Sequence, residues 1–131
     1  MYEYQSKKIT TYKELESVCR KATSYFIASF MLEMIMRRKE WENPATKTAF
    51  IESIHSQYLD HWPIERIRSR VNCMIRIIES DMIIPALEYV TRANDNKLDD
   101  PSLKSYATEI IRMIDTGKLD VENSIIHYDM E

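Results

Sequence analysis

A single glycine, Gly117, in 131 residues is the feature that most limits what this chain can fold into. β-Sandwiches and barrels need glycine at many of their turns, and a phosphate-binding loop needs two or three glycines close together. Helices need glycine only just past their C-terminal ends, and the apolar periodicity places Gly117 at such an end. With 44% hydrophobic and 30% charged residues, the chain is predicted to be one all-α globular domain over residues 1–131.

Three of the four prolines are predicted to begin helices, because the missing N–H of proline would have no partner at the first helical position. They are Pro44, which Asn43 caps, Pro63 and Pro101. Pro85 instead lies inside an apolar helical pattern and is expected to kink or divide that helix. These boundaries predict a bundle of four to six helices.

The first predicted helix begins at a capping box formed by Thr11 and Glu14 and continues to Asn43. From Tyr25 to Met36 its apolar residues occupy nearly the whole circumference. A helix of this kind must be covered on more than one side, either by its own bundle or by a second copy of the chain. A homodimer formed through the first helix is therefore one expectation. Residues 1–10 and 120–131 are predicted to be flexible or extended tails, with a last short helix capped by Asp120 as the alternative.

The sequence predicts a cytoplasmic protein that neither crosses nor binds a membrane. Residues 1–8 contain no apolar segment of the kind found in signal peptides, and the longest apolar run, residues 25–36, is shorter than the ~20 residues of a membrane span. Cys19 and Cys73 are isolated from each other, which is typical of small buried thiols rather than of a disulfide framework.

No set of residues predicts catalysis, so we expect neither an enzyme nor a bound cofactor or metal. Glu52 and His55 have the Glu-x-x-His spacing of di-iron bundles, but those sites need a second such motif, which the chain lacks. Neither cysteine has a histidine nearby in the sequence, and no nucleophile elbow is present.

Glu33 interrupts the apolar run and is a candidate buried acid. A carboxylate buried among these apolar side chains would cost free energy unless it were paired with a cation or protonated. The alternatives are an ion pair with an arginine such as Arg66, Arg68 or Arg70, or a rotation of the apolar stripe around the helix that leaves Glu33 on the exposed side.

Charged residues are the main candidates for contact with a partner. Arg66 and Arg70 lie one turn apart on one face of the helix after Pro63, where they suit phosphates or carboxylates. The other candidates stand at the end of the first helix and in a polar loop: Arg37, Arg38, Asp95, Asp99 and Asp100.

These features predict a non-catalytic interaction module, an inhibitor, immunity or adaptor protein that binds and covers another protein. The alternative is a nucleic-acid-binding subunit of a larger complex that uses the Arg66/Arg70 face. The net charge of −3 favours the first prediction, as does the acidic segment 94–131, which carries nine acidic and four basic residues.

Overall fold

The computed structural model describes residues 8–58, 61–92 and 101–127, and within these ranges the fold is all-α. Its helices are α1 (Tyr12–Ala22), α2 (Ser24–Met36), α3 (Arg38–Glu42), α4 (Pro44–Tyr58), α5 (Ile64–Glu79), α6 (Ile83–Arg92) and α7 (Pro101–Asp115). Two short strands, β1 (Leu119–Asp120) and β2 (Ile125–Ile126), follow them. None of the helices in the described ranges is long and apolar enough to cross a membrane.

The described ranges hold seven helices rather than the predicted four to six, because the predicted first helix is divided into α1, α2 and α3. The first division lies at Thr23, whose φ of 78° takes the chain out of the helical region. The Thr23 N–H closes α1 on the carbonyl of Cys19, and its side-chain oxygen accepts a hydrogen bond from the Phe26 N–H to begin α2. Arg37 forms the second division, with φ −107° and ψ 28°.

The predicted helix starts are confirmed. Pro44 is the first residue of α4, and the Asn43 side chain caps that helix by accepting a hydrogen bond from the Ala45 N–H at 2.9 Å. Pro101 is the first residue of α7, and Pro63 immediately precedes α5. Proline therefore marks helix starts here because it occupies positions whose N–H would have no intrahelical partner.

The predicted division near Pro85 lies a few residues upstream of it. Helix α5 ends at Glu79 and α6 begins at Ile83, so Pro85 falls in the first turn of the new helix, where proline is tolerated. Asp81, at φ 58°, provides the left-handed turn between the two helices. The division therefore needs no kink at the proline itself.

Helix α2 lies at the centre of the bundle, where it packs against α1, α5, α6 and α7. Its large apolar side chains, all at most 2% exposed, are Phe26, Ile27, Phe30, Met31, Met34 and Ile35. Other helices of the same chain therefore cover the segment that sequence periodicity marked as needing cover on several sides. Homodimerisation stays a prediction, but α2 does not require it.

The described part of the C-terminal segment forms a hairpin rather than a short helix. Leu119 lies opposite Ile126 in the antiparallel pair, and Leu119 is buried in the core. Ser124, at the turn, donates a hydrogen bond from its hydroxyl to the carbonyl of Ile35 at 2.7 Å. Gly117, at φ 78°, ends α7 as predicted and allows the chain to reverse into β1.

Candidate functional site

Arg66 and Arg70 lie on α5, where Arg66 is exposed and Arg70 is half-buried. The Arg70 guanidinium lies over the ring of Trp62, 4.8 Å from its centroid. Its Nη1 atom is buried and makes no hydrogen bond to a described residue. Burial lowers the pKa of Arg70, and the nearby charge of Arg66 lowers it further. The predicted pair is therefore a local excess of positive charge with an aromatic ring beneath it.

Trp62 organises the turn that leads into α5. Its ring meets Tyr25 edge-on at 6.3 Å and His61 at 5.5 Å between centroids. The backbone carbonyl of Trp62 lies 2.6 Å from Nε2 of His55 on α4. These contacts join His61, in the turn, and His55, on α4, to Trp62, which gives both histidines a structural role.

Arg37 joins three helices from its position at the end of α2. Its guanidinium donates to Glu33 at 2.6 Å, to Glu40 at 2.7 Å and to the hydroxyl of Ser53 at 3.2 Å. The same group lies 4.7 Å from the centre of the Phe50 ring. These hydrogen bonds raise the pKa of Arg37 and lower that of Glu40. Because its donors are engaged inside the chain, we leave Arg37 out of the proposed contact surfaces.

Glu33 is a partly exposed, paired acid rather than an isolated buried one. One quarter of its side chain is accessible, and Arg37 is its ion-pair partner instead of Arg66, Arg68 or Arg70. The Gln57 amide also donates to it at 3.1 Å. The pairing follows from the helix itself, since Glu33 and Arg37 are four residues apart and share a face.

The remaining predicted contact residues divide into two groups. Arg38 pairs with Glu42 at 2.9 Å and lies over the ring of Trp41 at 5.7 Å, so it too has partners within α3. The predicted loop residues lie outside the described residues: Asp95, Asp99 and Asp100.

An apolar groove of about 480 Å³, which sequence reasoning did not identify, runs between α2 and α7. Phe30 and Ile110 lie in it and are almost fully buried, whereas Tyr106 is 55% exposed. The complete lining is Tyr25, Ala28, Ser29, Phe30, Leu32, Glu33, Tyr106, Glu109, Ile110 and Met113. Tyr106 has the helical spacing of a core residue, since it lies three residues after Leu103 and four before Ile110, both of which are buried. The structure instead places Tyr106 beside the groove, which exists because α2 and α7 leave a gap between them.

The described residues hold no group of three or more His, Cys, Asp or Glu side chains arranged to bind a metal ion. Cys19 and Cys73 are both buried, on α1 and α5, and no disulfide joins them. Burial raises the pKa of the Cys73 thiol.

Comparisons with protein families, with curated proteins and with solved structures found no match to this chain.

Proposed function

We propose that this protein is a non-catalytic interaction module that binds an amphipathic helix of a partner protein in the α2–α7 groove. By covering that helix, it would act as an inhibitor or adaptor. The observation that carries the proposal is the apolar groove itself, left open between two packed helices and bordered by Tyr106, the most exposed large hydrophobic residue of the described ranges.

The lining of the groove has the composition of an interface core. Aromatic residues and methionine are enriched where protein partners meet, and tyrosine is common among the residues that contribute most to affinity. Tyr25 and Tyr106 supply aromatic surface, and Met113 supplies a flexible thioether that adapts to a partner's shape. A groove between two helices accepts the apolar face of a third helix, which is an established mode of peptide recognition.

The charge of the groove selects the kind of helix. The charged residues that line it, Glu33 and Glu109, are both acidic. Each pairs with an arginine, Arg37 or Arg112, that does not itself line the groove. A partner helix with lysine or arginine flanking its apolar face therefore complements this surface better than an acidic helix does.

The proposal is tested by placing a photoreactive amino acid at position 106 and, as a control, at position 125. Ile125 is a comparable control because it is also an exposed apolar residue, 46% accessible, and it lies outside the groove. We expect position 106 alone to capture a defined partner protein. The purified partner should then bind the wild-type chain, and Met113→Glu should weaken that binding by about tenfold or more while Ile125→Glu leaves it unchanged.

Equal capture at both positions, or binding that tolerates Met113→Glu, would contradict the proposal. Capture of nucleic acid instead, together with binding lost in Arg66→Ala/Arg70→Ala, would establish the alternative function on the Arg66/Arg70 face. That alternative also predicts affinity that falls steeply with salt, because phosphate contacts release counterions.

A further inference from the structure

A second groove, of about 390 Å³, lies between α1 and α5 on a different part of the bundle from the α2–α7 groove. Lys21 lines it from the end of α1. The other lining residues all come from α5: Glu65, Arg68, Ser69, Asn72, Cys73 and Arg76. Its volume falls within the roughly 300–1,000 Å³ that is usual for small-molecule sites.

The lining of this groove carries three cations and one carboxylate. Lys21 and Arg68 are both exposed, and neither makes a hydrogen bond or an ion pair with a residue in the described ranges. By contrast, Glu33 pairs with Arg37 and Glu42 pairs with Arg38. In the α1–α5 groove, the charges of Lys21 and Arg68 therefore remain available to a ligand.

The edge of the groove carries a further cation, which belongs to α4. Lys47 of α4 donates to Oδ1 of Asn72 at 2.8 Å, which brings a fourth cation to the edge of the groove. Burial lowers the pKa of Lys47, the charge of Glu79 opposes that shift, and the charge of Arg68 adds to it. Burial raises the pKa of the Cys73 thiol, and the positive charges of Lys21 and Arg76 oppose that rise, so both cations lie close enough to act on the same side chain. An anion placed between Lys21 and Arg68 would be attracted by both charges.

We propose that the α1–α5 groove binds a small phosphorylated molecule, whose phosphate oxygens pair with Lys21, Arg68 and Arg76. Phosphate suits these groups because arginine offers two parallel donors and lysine a compact charge. Ser69 and Asn72 add neutral hydrogen-bonding groups of the kind that recognise hydroxyls.

The geometry favours a small ligand over a polynucleotide. Arg68 and Arg76 are eight residues apart, so the cationic part of the groove spans only roughly 12 Å of helix axis. Glu65 lies within the lining, where it opposes a continuous phosphate backbone, and the chain as a whole carries a net charge of −3. A compact ligand with one or two phosphates satisfies the cations without extending over the acidic remainder of the molecule.

The test is a titration of the full chain with pyrophosphate and with inorganic phosphate, followed by calorimetry and by amide chemical shifts. We expect saturable binding, with the largest shifts at residues of the groove. Arg68→Gln and Lys21→Gln should each weaken binding by roughly tenfold, since each removes a charge-assisted hydrogen bond. The matched control is Lys104→Gln, which removes one positive charge from an exposed position on α7 outside both grooves and should leave the affinity within about twofold.

Several results would overturn the proposal. They are the absence of saturable binding, an equal loss of affinity in Lys104→Gln and Arg68→Gln, and an oligonucleotide that binds far more tightly than pyrophosphate with a steep salt dependence. All three substitutions are at exposed positions, and circular dichroism checks that each variant is folded. The Met113→Glu variant should bind pyrophosphate normally, so failure of the α2–α7 proposal and failure of this one are distinguishable.

Discussion

At the scale of single residues, Thr23 carries the clearest backbone strain among the residues that the structure describes. Its φ of 78° with ψ of 147° lies in a region that β-branched residues rarely enter and that is open to glycine. Such a conformation costs of order 1–3 kcal/mol. Part of the cost is offset by the hydroxyl, which accepts a hydrogen bond from the Phe26 N–H at 3.3 Å and so begins α2.

Thr23→Gly is therefore expected to raise the free energy of unfolding by about 1 kcal/mol. Glycine removes the strain, whereas the lost cap and the greater freedom of the unfolded chain each cost less than that gain. Thr23→Ala is the control, since it keeps the strained backbone and loses the cap, and it should lower stability by about 1 kcal/mol. Urea denaturation measures both. If glycine destabilises as much as alanine does, Thr23 is not strained.

The same residue shows why the first helix boundary escaped prediction. Helical periodicity continues through Thr23, because Ala22 and Phe26 on either side of it both face the core. A local signal was present in the Thr23-Ser24 pair, since hydroxyl residues are good N-caps. That signal is weaker than the apolar pattern around it. The boundaries at Pro44 and Gly117 were predictable because those residues act through backbone geometry rather than through side-chain pattern.

At the scale of secondary-structure elements, Arg37 connects α2, α3 and α4. It pairs with Glu33 on α2 and Glu40 on α3, reaches Ser53 on α4, and lies over Phe50. Exposed ion pairs contribute little to stability, but a cation that bonds two carboxylates and a hydroxyl from a position only one quarter exposed contributes more. The connection also sets where α3 begins, because Arg37 occupies the junction itself.

Arg37→Gln is expected to lower the free energy of unfolding by about 1 kcal/mol at neutral pH and to change its dependence on acid. Arg37 lowers the pKa of Glu40 in the folded state. The pairing therefore stabilises the fold above the ordinary glutamate pKa of about 4.3, and that contribution is lost as the pH falls through the lower folded value. The difference between wild type and variant should accordingly shrink below about pH 4.

Denaturation at neutral and acid pH measures this difference, and Arg38→Gln provides the control. Arg38 makes one ion pair, with Glu42, so its loss should cost only about 0.3–0.5 kcal/mol. The ordinary glutamate pKa is about 4.3, so the test must extend below it, to about pH 3. If the stability difference between wild type and Arg37→Gln stays constant over that range, Arg37 does not lower the pKa of Glu40.

At the scale of the whole molecule, the sequence predicts which helices form better than it predicts how they meet. The apolar run in α2 identified a helix that needs cover on several sides, but not that α1, α5, α6 and α7 provide it. Both grooves arise between helices that are distant in sequence, so neither is encoded in any one segment. Arg68 and Arg76 lie close to Arg66 and Arg70 in the sequence, whereas Lys21, which completes the groove, lies more than forty residues from Arg68.

Coverage of α2 by its own chain has a measurable consequence for the assembly state. If α2 belongs to the core of one copy, unfolding does not involve dissociation, and the denaturation midpoint is independent of protein concentration. Met31, fully buried at the centre of α2, should cost about 2–5 kcal/mol when changed to alanine, by the same amount at every concentration. Met36, on the same helix but 37% exposed, is the control, and Met36→Ala should change stability by no more than about 0.5 kcal/mol. Denaturation over a roughly hundredfold range of concentration measures this, because a midpoint that rises with concentration means that unfolding is coupled to the dissociation of a second copy.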